Sequence, residues 1–280
     1  MDNVSPGTLY VVGTPIGNLD DLSIRARSVL DAVDLIAAED TRQTRRLLSS
    51  IGLKVTRLIA YHEHNERQRT PDLLVQLKAG KSLALVADAG MPTISDPGVR
   101  LVRAALAANV PILSVPGPSA DTAALSISGL ATDRFVFEGF LPRRGNQRRE
   151  RLKLLASESR TMIFYESVHR LPDAFVALTE MFGGARQSVI ARELTKLHEA
   201  VYCGTLAELS SQLGNDIPLK GEFVVLVAGS TGVESVVNSE VLRIFAILSD
   251  SVTAKDAVAL TARITGLSRN NVYQLTRIPD

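Results

Sequence analysis

Residues 83–98 read Leu-Ala-Leu-Val-Ala-Asp-Ala-Gly-Met-Pro-Thr-Ile-Ser-Asp-Pro-Gly, and this order decides the fold. The run Leu83–Ala87 is apolar on both faces, as strands are in a parallel sheet covered from both sides. A helix usually needs roughly two to six residues to begin after a strand. Here the eleven residues 88–98 intervene, with two Gly, two Pro and two Asp, the composition of a shaped binding loop. Asp96 followed by Pro97 reads as a cap and first helical position ahead of the stripe Leu101, Val102, Ala105 and Leu106.

The same alternation extends outward. Short apolar runs at Leu9–Val12, Leu35–Ala38, Leu58–Ala60 and Ile112–Val115 are separated by helical patterns. Ser23 can cap a stripe of Ala26, Val29, Leu30 and Val33. Thr70 and Pro71 read as the start of a helix carrying Leu73, Leu74 and Leu77, stopped by Gly80. Alternating β and α at this spacing argues for an α/β first domain. A second unit has runs at Phe135–Phe137, Met162–Tyr165, Val189–Ala191, Ala200–Tyr202 and Phe223–Ala228. Its third and fourth runs are too close for a crossover helix, so they pair antiparallel and the second sheet is mixed. Gly229–Gly232 reads as a linker. Beyond it, Val241, Ile244, Phe245 and Leu248 form one stripe, Asp256 to Ile264 another ended by Gly266, and Ser268 can cap Asn270 to Arg277. Two short helices around a Gly turn resemble a helix-turn-helix. The balanced charge there favours a packing or dimer element over DNA reading.

Composition narrows the function. The 280 residues carry 31 Lys plus Arg and 30 Asp plus Glu, a net charge of +1, which excludes binding nucleic acid by bulk charge alone. The single cysteine, Cys203, excludes an internal disulfide framework and an all-Cys zinc site. There is no Trp and only 5% aromatic residues, so a surface crowded with stacking aromatics is not expected. No window approaches a membrane span, and Met1 to Gly7 lacks the regions of a signal peptide. A soluble cytoplasmic protein is the expectation.

Ligands of open α/β sheets bind beyond the carboxyl ends of the strands, so the residues after each run carry the functional reading. After the first comes Gly13-Thr14-Pro15-Ile16-Gly17-Asn18, which lacks the dinucleotide fingerprint. After the second comes Ala38-Glu39-Asp40-Thr41-Arg42. Asp40 can cap the next helix, leaving Glu39 and the arginines Arg42, Arg45 and Arg46 for an anionic partner. After the third, Tyr61-His62-Glu63-His64 has a metal-like His-x-His spacing, but no third ligand is placed, and no metal is expected. After the fifth comes Pro116-Gly117-Pro118-Ser119-Ala120, a stiff turn of small side chains. Two such loops at neighbouring strand ends point to a pocket. In the second unit, Arg143, Arg144, Arg148, Arg149, Arg151 and Lys153 stand against Glu150 alone. That is a phosphate-contacting segment or a solvated helix start, and the local excess on a neutral chain favours RNA.

Taken together with Phe164-Tyr165-Glu166-Ser167 and Ala191-Arg192-Glu193-Leu194-Thr195, these loops strongly resemble the ribosomal RNA small-subunit methyltransferase I family. The resemblance covers residues 7 to 229 and, less distinctly, the helical tail. It implies two α/β domains of the tetrapyrrole-methylase type (residues 1–117 and 118–230) with a parallel first and a mixed second sheet. A helical tail would span 231–280. The implied activity is methyl transfer from S-adenosylmethionine (SAM) to the ribose 2′-oxygen of a decoding-site cytidine of 16S rRNA in the small ribosomal subunit, by a homodimer. The cofactor positions that carry over are Pro15, then Asp88, Ala89, Gly90, Met91, Ile94 and Ser95, then Ser119 and Ala120. In the second domain they are Tyr165, Glu166, Leu194, Gly221 and Glu222. Met91 departs from the threonine expected there. Arg42, Arg45, Arg46, Arg143, Arg144, Arg148 and Arg149 would hold phosphates. Asp40 and Glu166 are both candidates for a base at the 2′-hydroxyl, with His62 and His64 weaker ones. Methylation of a tetrapyrrole is the alternative within the fold. A non-catalytic RNA-binding protein is the alternative outside it.

Overall fold

The computed structural model describes residues 4–54, 57–230 and 233–276. The strands of the first sheet are β1 (Leu9–Val12), β2 (Leu35–Ala38), β3 (Arg57–Ala60), β4 (Leu83–Val86) and β5 (Ile112–Val115). They are all parallel, in the order β3-β2-β4-β1-β5. Each connection runs through a helix: α1 (Ile24–Ala32), α2 (Thr41–Ser50), α3 (Glu66–Lys78) and α4 (Val99–Ala107). Because strand side chains alternate with period two, Ile36, Ala38, Ala84 and Val86 pack with α1 and α2. Leu35, Ala37, Leu83 and Leu85 pack with α3 and α4 on the other face. Both faces are dry, which is why these runs read as uninterrupted apolar segments.

The second sheet holds β6 (Phe135–Phe140), β7 (Thr161–Ser167), β8 (Gln187–Arg192), β9 (Ala200–Thr205) and β10 (Glu222–Val227), in the order β6-β7-β10-β8-β9. Only β6 and β7 are parallel, and β8 and β9 pair antiparallel as their close spacing requires. α5 (Ala120–Ile127) covers one face together with Ile16 from the first unit. α6 (Gly145–Leu155), α7 (Leu171–Phe182) and α8 (Leu206–Gln212) cover the other. In the tail, α9 (Val233–Ser249), α10 (Ala254–Thr265) and α11 (Arg269–Thr276) meet around Val241, Ala262 and Val272. Gly266 ends α10 in the left-handed conformation, and the Ser268 hydroxyl accepts the Asn271 N–H at 3.1 Å. Thr231 and Gly232 of the expected linker lie outside the described residues, as do Met1–Asn3 and Arg277.

Two expected helix starts are corrected. α3 begins at Glu66, not after Thr70, and Pro71 lies inside it. Buried Tyr61 explains the shift. Its hydroxyl pairs with Thr70 Oγ1 at 2.9 Å, while that oxygen donates to the Glu66 carbonyl at 2.6 Å. A tertiary contact therefore holds the turn ahead of the proline. Likewise α4 begins at Val99 with Gly98 in the cap position, so Asp96 and Pro97 belong to the preceding loop.

At the carboxyl ends of β1 and β5 two backbones nearly touch. A Cβ on Gly117 would stand 2.9 Å from Gly13 backbone atoms, and one on Gly13 2.7 Å from Gly117. Gly117→Ala is therefore expected to cost about 1–3 kcal/mol, the usual range for overpacking. Gly145→Ala, in open space at the start of α6, is expected to raise stability by about 0.4–1 kcal/mol through the unfolded chain. Urea unfolding of the two variants checks both signs.

Candidate active site

The loops after β1, β4 and β5 are clasped. Thr14 and Gly90 exchange backbone hydrogen bonds at 3.0 and 3.1 Å, and the Thr14 hydroxyl donates to the Ala87 carbonyl at 3.2 Å. The loops after β2 and β4 are tied reciprocally. Asp40 N–H donates to Asp88 Oδ1 at 3.0 Å, and Asp88 N–H to Glu39 Oε2 at 3.2 Å. On the second sheet, buried Arg192 donates to the Lys220 and His198 carbonyls. It thereby pins the two loops that carry Leu194, Gly221 and Glu222. Glu193, in left-handed backbone at φ 52°, accepts the Glu222 N–H at 2.9 Å and the Lys196 ammonium at 2.9 Å.

Between these ends lies a cavity of about 450 Å³, within the usual range for small-molecule sites. Asp88, Ala89, Gly90, Met91, Ile94, Ser95, Ser119 and Ala120 line it from the first unit, and Tyr165, Glu166, Leu194, Gly221 and Glu222 from the second. Pro15, the remaining cofactor position carried over from the family, is not in the wall, although its neighbour Ile16 is. Also in the wall are Glu39, Asp96, Phe140, Ser167, Val168, Ala191, Phe223 and Val224. Asp96 escaped the sequence reading because Asp-Pro ahead of an apolar stripe is a strong helix-start signal. The helix starts on Gly98 instead, through left-handed Thr93 (φ 76°) and Ser95 (φ 62°). Such backbone costs about 1–3 kcal/mol per residue and gathers at functional sites.

The first-unit wall is anionic. Burial raises the carboxyls of Glu39 and Asp88. Burial first, and then the charges of Glu39 and Asp88, push Asp96 up to about 7. No cation pairs with Asp96 among the described residues. Asp40 differs. It caps α2, its carboxylate is gripped by Arg42 at 2.7 Å, and that bond holds it down at about 2. It lies outside the cavity wall. Glu166 is buried and raised by burial, against the opposing charge of Arg170 at 3.0 Å. The Tyr165 phenol is pushed well up by burial.

The arginines divide. Arg143 and Arg144 are exposed at the start of α6, and no ion pair holds either among the described residues. Arg149 is paired with Glu180 at 3.2 Å, and Arg148 is half-buried and acts on Glu166. Arg45 and Arg46 are exposed on α2. His62 and His64 are outside the cavity wall, His62 closing its own turn through Asn65. Among the described residues no group of three or more His, Cys, Asp or Glu could hold a metal ion. No helix among them is long and apolar enough to cross a membrane.

Comparison with known proteins agrees with this architecture. Residues 8–210 match the family model of tetrapyrrole (corrin/porphyrin) methylases. Residues 236–276 match the RsmI C-terminal HTH domain, a clearer tail match than the sequence reading expected. The cobalamin biosynthetic enzyme cobalt precorrin-4 methyltransferase superposes with a TM-score of 0.59 at 17% identity, covering 79% of this chain and 95% of that one. The methyltransferase CobJ superposes with a TM-score of 0.60 at 21% identity, covering 80% and 95%. At those identities the likeness is one of fold. The ribosomal RNA small subunit methyltransferase I of Xylella fastidiosa is 50% identical over 96% of this chain and 98% of its own length. That of Pseudomonas aeruginosa is 48% identical over 97% of each chain, and that of Escherichia coli O157:H7 is 46% identical over 96% and 94%. Kinship at this level over nearly the whole chain, on this two-sheet frame, means that the chain belongs to the ribosomal RNA small subunit methyltransferase I family of tetrapyrrole methylases.

Proposed function

We propose that the protein transfers a methyl group from SAM to the ribose 2′-hydroxyl of a decoding-site cytidine in 16S rRNA. It acts on the small ribosomal subunit in the cytoplasm, as a homodimer of chains divided near residues 117 and 230. One observation carries the reading. The cavity is anionic along the first sheet, and Phe140 of its wall is followed three residues on by Arg143 and then Arg144, both exposed and in no ion pair among the described residues. The printed names of the relatives place their activity on small-subunit ribosomal RNA. A tetrapyrrole substrate leaves the arginines without a task.

The residues present suit the cofactor. Small and apolar walls at Ala89, Gly90, Ile94 and Ala120 suit the flat faces of an adenine ring, and the carboxylates of Glu39, Asp88 and Asp96 favour a cationic group. When bound, SAM supplies an electrophilic methyl group on a sulfonium. Asp88, Ala89, Gly90, Met91, Ile94 and Ser95, with Ser119 and Ala120, would hold it from one side. Tyr165, Leu194, Gly221 and Glu222 would hold it from the other, with Pro15 behind. The chain's own work is to orient the ribose and remove a proton. A carboxylate near neutrality is well matched to that task. Asp96 meets the condition, while Asp40 and Glu166 are each engaged by an arginine. Asp96 therefore takes the 2′-hydroxyl proton. Glu166 holds Arg170 and so keeps the end of β7 in place.

Four outcomes are expected. With labelled SAM, small subunits become labelled and a precorrin does not; label in the precorrin alone rejects the reading. Asp96→Asn lowers kcat by roughly 10²- to 10⁴-fold and removes the rise in rate as pH passes through about 7. The same variant should be more stable than the parent at alkaline pH. A carboxyl whose folded value lies above its unfolded one binds its proton more tightly in the fold, so stability falls as pH rises from the ordinary aspartate value of 3.8 to about 7. The gain in melting temperature at pH 8 should exceed that at pH 5. Finally, Arg143→Ala with Arg144→Ala should weaken RNA binding and flatten its log–log salt slope by about one to two. SAM affinity measured by calorimetry should stay unchanged.

A further inference from the structure

Phe140 has a feature that the mechanism above does not use. It is 53% exposed, yet it lines the cavity. Its ring meets Tyr165 edge-on at 5.6 Å, and Phe137 meets the same Tyr165 at 5.0 Å. Two residues three apart on one strand cannot normally face the same neighbour, because side chains alternate. The register explains how they do. Phe137 pairs with Ile163, Gly139 with Phe164 and Phe140 with Tyr165, so Glu138 is the extra residue of a β-bulge. The bulge flips the parity of the strand and turns Phe140 toward the cavity, a known use of bulges beside active sites.

Gly139 makes the bulge possible. Its φ is +64°, and a Cβ there would come within 3.0 Å of Ser95 Oγ in the long loop. The same residue thus aims Phe140 and seats the wall that carries Asp96. Glu138, its side chain almost covered, takes the Arg151 guanidinium at 2.6 Å.

The surroundings name the ligand. β6 is the edge strand of its sheet, so the outer side of Phe140 is open. Three residues on, at most about 10 Å of extended chain, comes Arg143, followed by Arg144. Both are exposed and unpaired among the described residues. An open aromatic face beside free guanidinium groups fits a base and its adjoining phosphate, the way unpaired RNA is gripped.

We propose that Phe140, backed by Tyr165, is the stacking platform for an unpaired nucleobase of the RNA substrate, with Arg143 and Arg144 on the neighbouring phosphate. The platform rests on the RNA reading given above. It holds the splayed nucleotide so that its sugar faces Asp96.

The chain contains no tryptophan, so Phe140→Trp installs a single fluorescent reporter. A short oligocytidylate should quench it, and an abasic oligomer of the same length should not. Phe140→Leu should weaken oligocytidylate binding, and raise KM for small subunits, by roughly 5- to 100-fold. Its SAM affinity by calorimetry should match the parent. Equal quenching by the abasic oligomer overturns the platform. So does a loss of SAM affinity with RNA affinity intact, which would assign the ring to the cofactor wall. A parent protein that labels a precorrin and not small subunits overturns the RNA reading itself, which is a separate result.

Discussion

The close passage of Gly13 and Gly117 is the constraint on which the site depends. Parallel strands leave their carboxyl ends side by side, and in this chain β1 and β5 are neighbours in the sheet. With no side chain at either glycine, the two following loops lie backbone against backbone. The loop after β4 is then drawn in by the Thr14–Gly90 hydrogen bonds. A Cβ at either position would push apart the loops that carry part of the cavity wall. Tight loop packing also explains why the left-handed residues Thr93 and Ser95 persist. Their neighbours over-determine a conformation that an isolated loop would abandon.

In the cavity wall the charges are segregated. Glu39, Asp88 and Asp96 share one side of it, where partial burial raises all three carboxyls and the charges of Glu39 and Asp88 raise Asp96 further. Arg143 and Arg144 lie outside the cavity wall, where exposure keeps them hydrated and screened by salt. This separation suits a cationic donor inside and an anionic polymer outside. It also places the strongest electrostatic effects where the dielectric is lowest.

Several features could be read along the chain because they depend on local rules. Short apolar runs made β1, β2 and β5 legible to the residue, the first two because both their faces are buried and β5 in spite of its half-exposed place at the sheet edge. The closeness of β8 and β9 made their antiparallel pairing legible too. Helix starts were less secure. Asp-Pro and Thr-Pro look the same in sequence whether the proline opens a helix or not. The outcome at Pro71 turned on a hydroxyl of buried Tyr61, and at Pro97 on Gly98 taking the cap. The bulge at Glu138 left no periodic trace, since it breaks the very alternation that would reveal it.

The amino-acid order by itself determined the alternation of strand and helix, the long 88–98 loop and the basic segment after Pro142. These are properties of neighbours in the chain. Only tertiary structure decided which carboxylate faces the cavity, which arginines remain unpaired and which aromatic ring is left open. Each of those depends on groups far apart in sequence meeting across two sheets. Asp40 and Asp96 have the same ordinary acidity as free side chains. One became a helix-capping, arginine-held carboxylate and the other a half-buried group near neutrality, because the fold gave one a cation and gave the other partial burial beside two carboxylates.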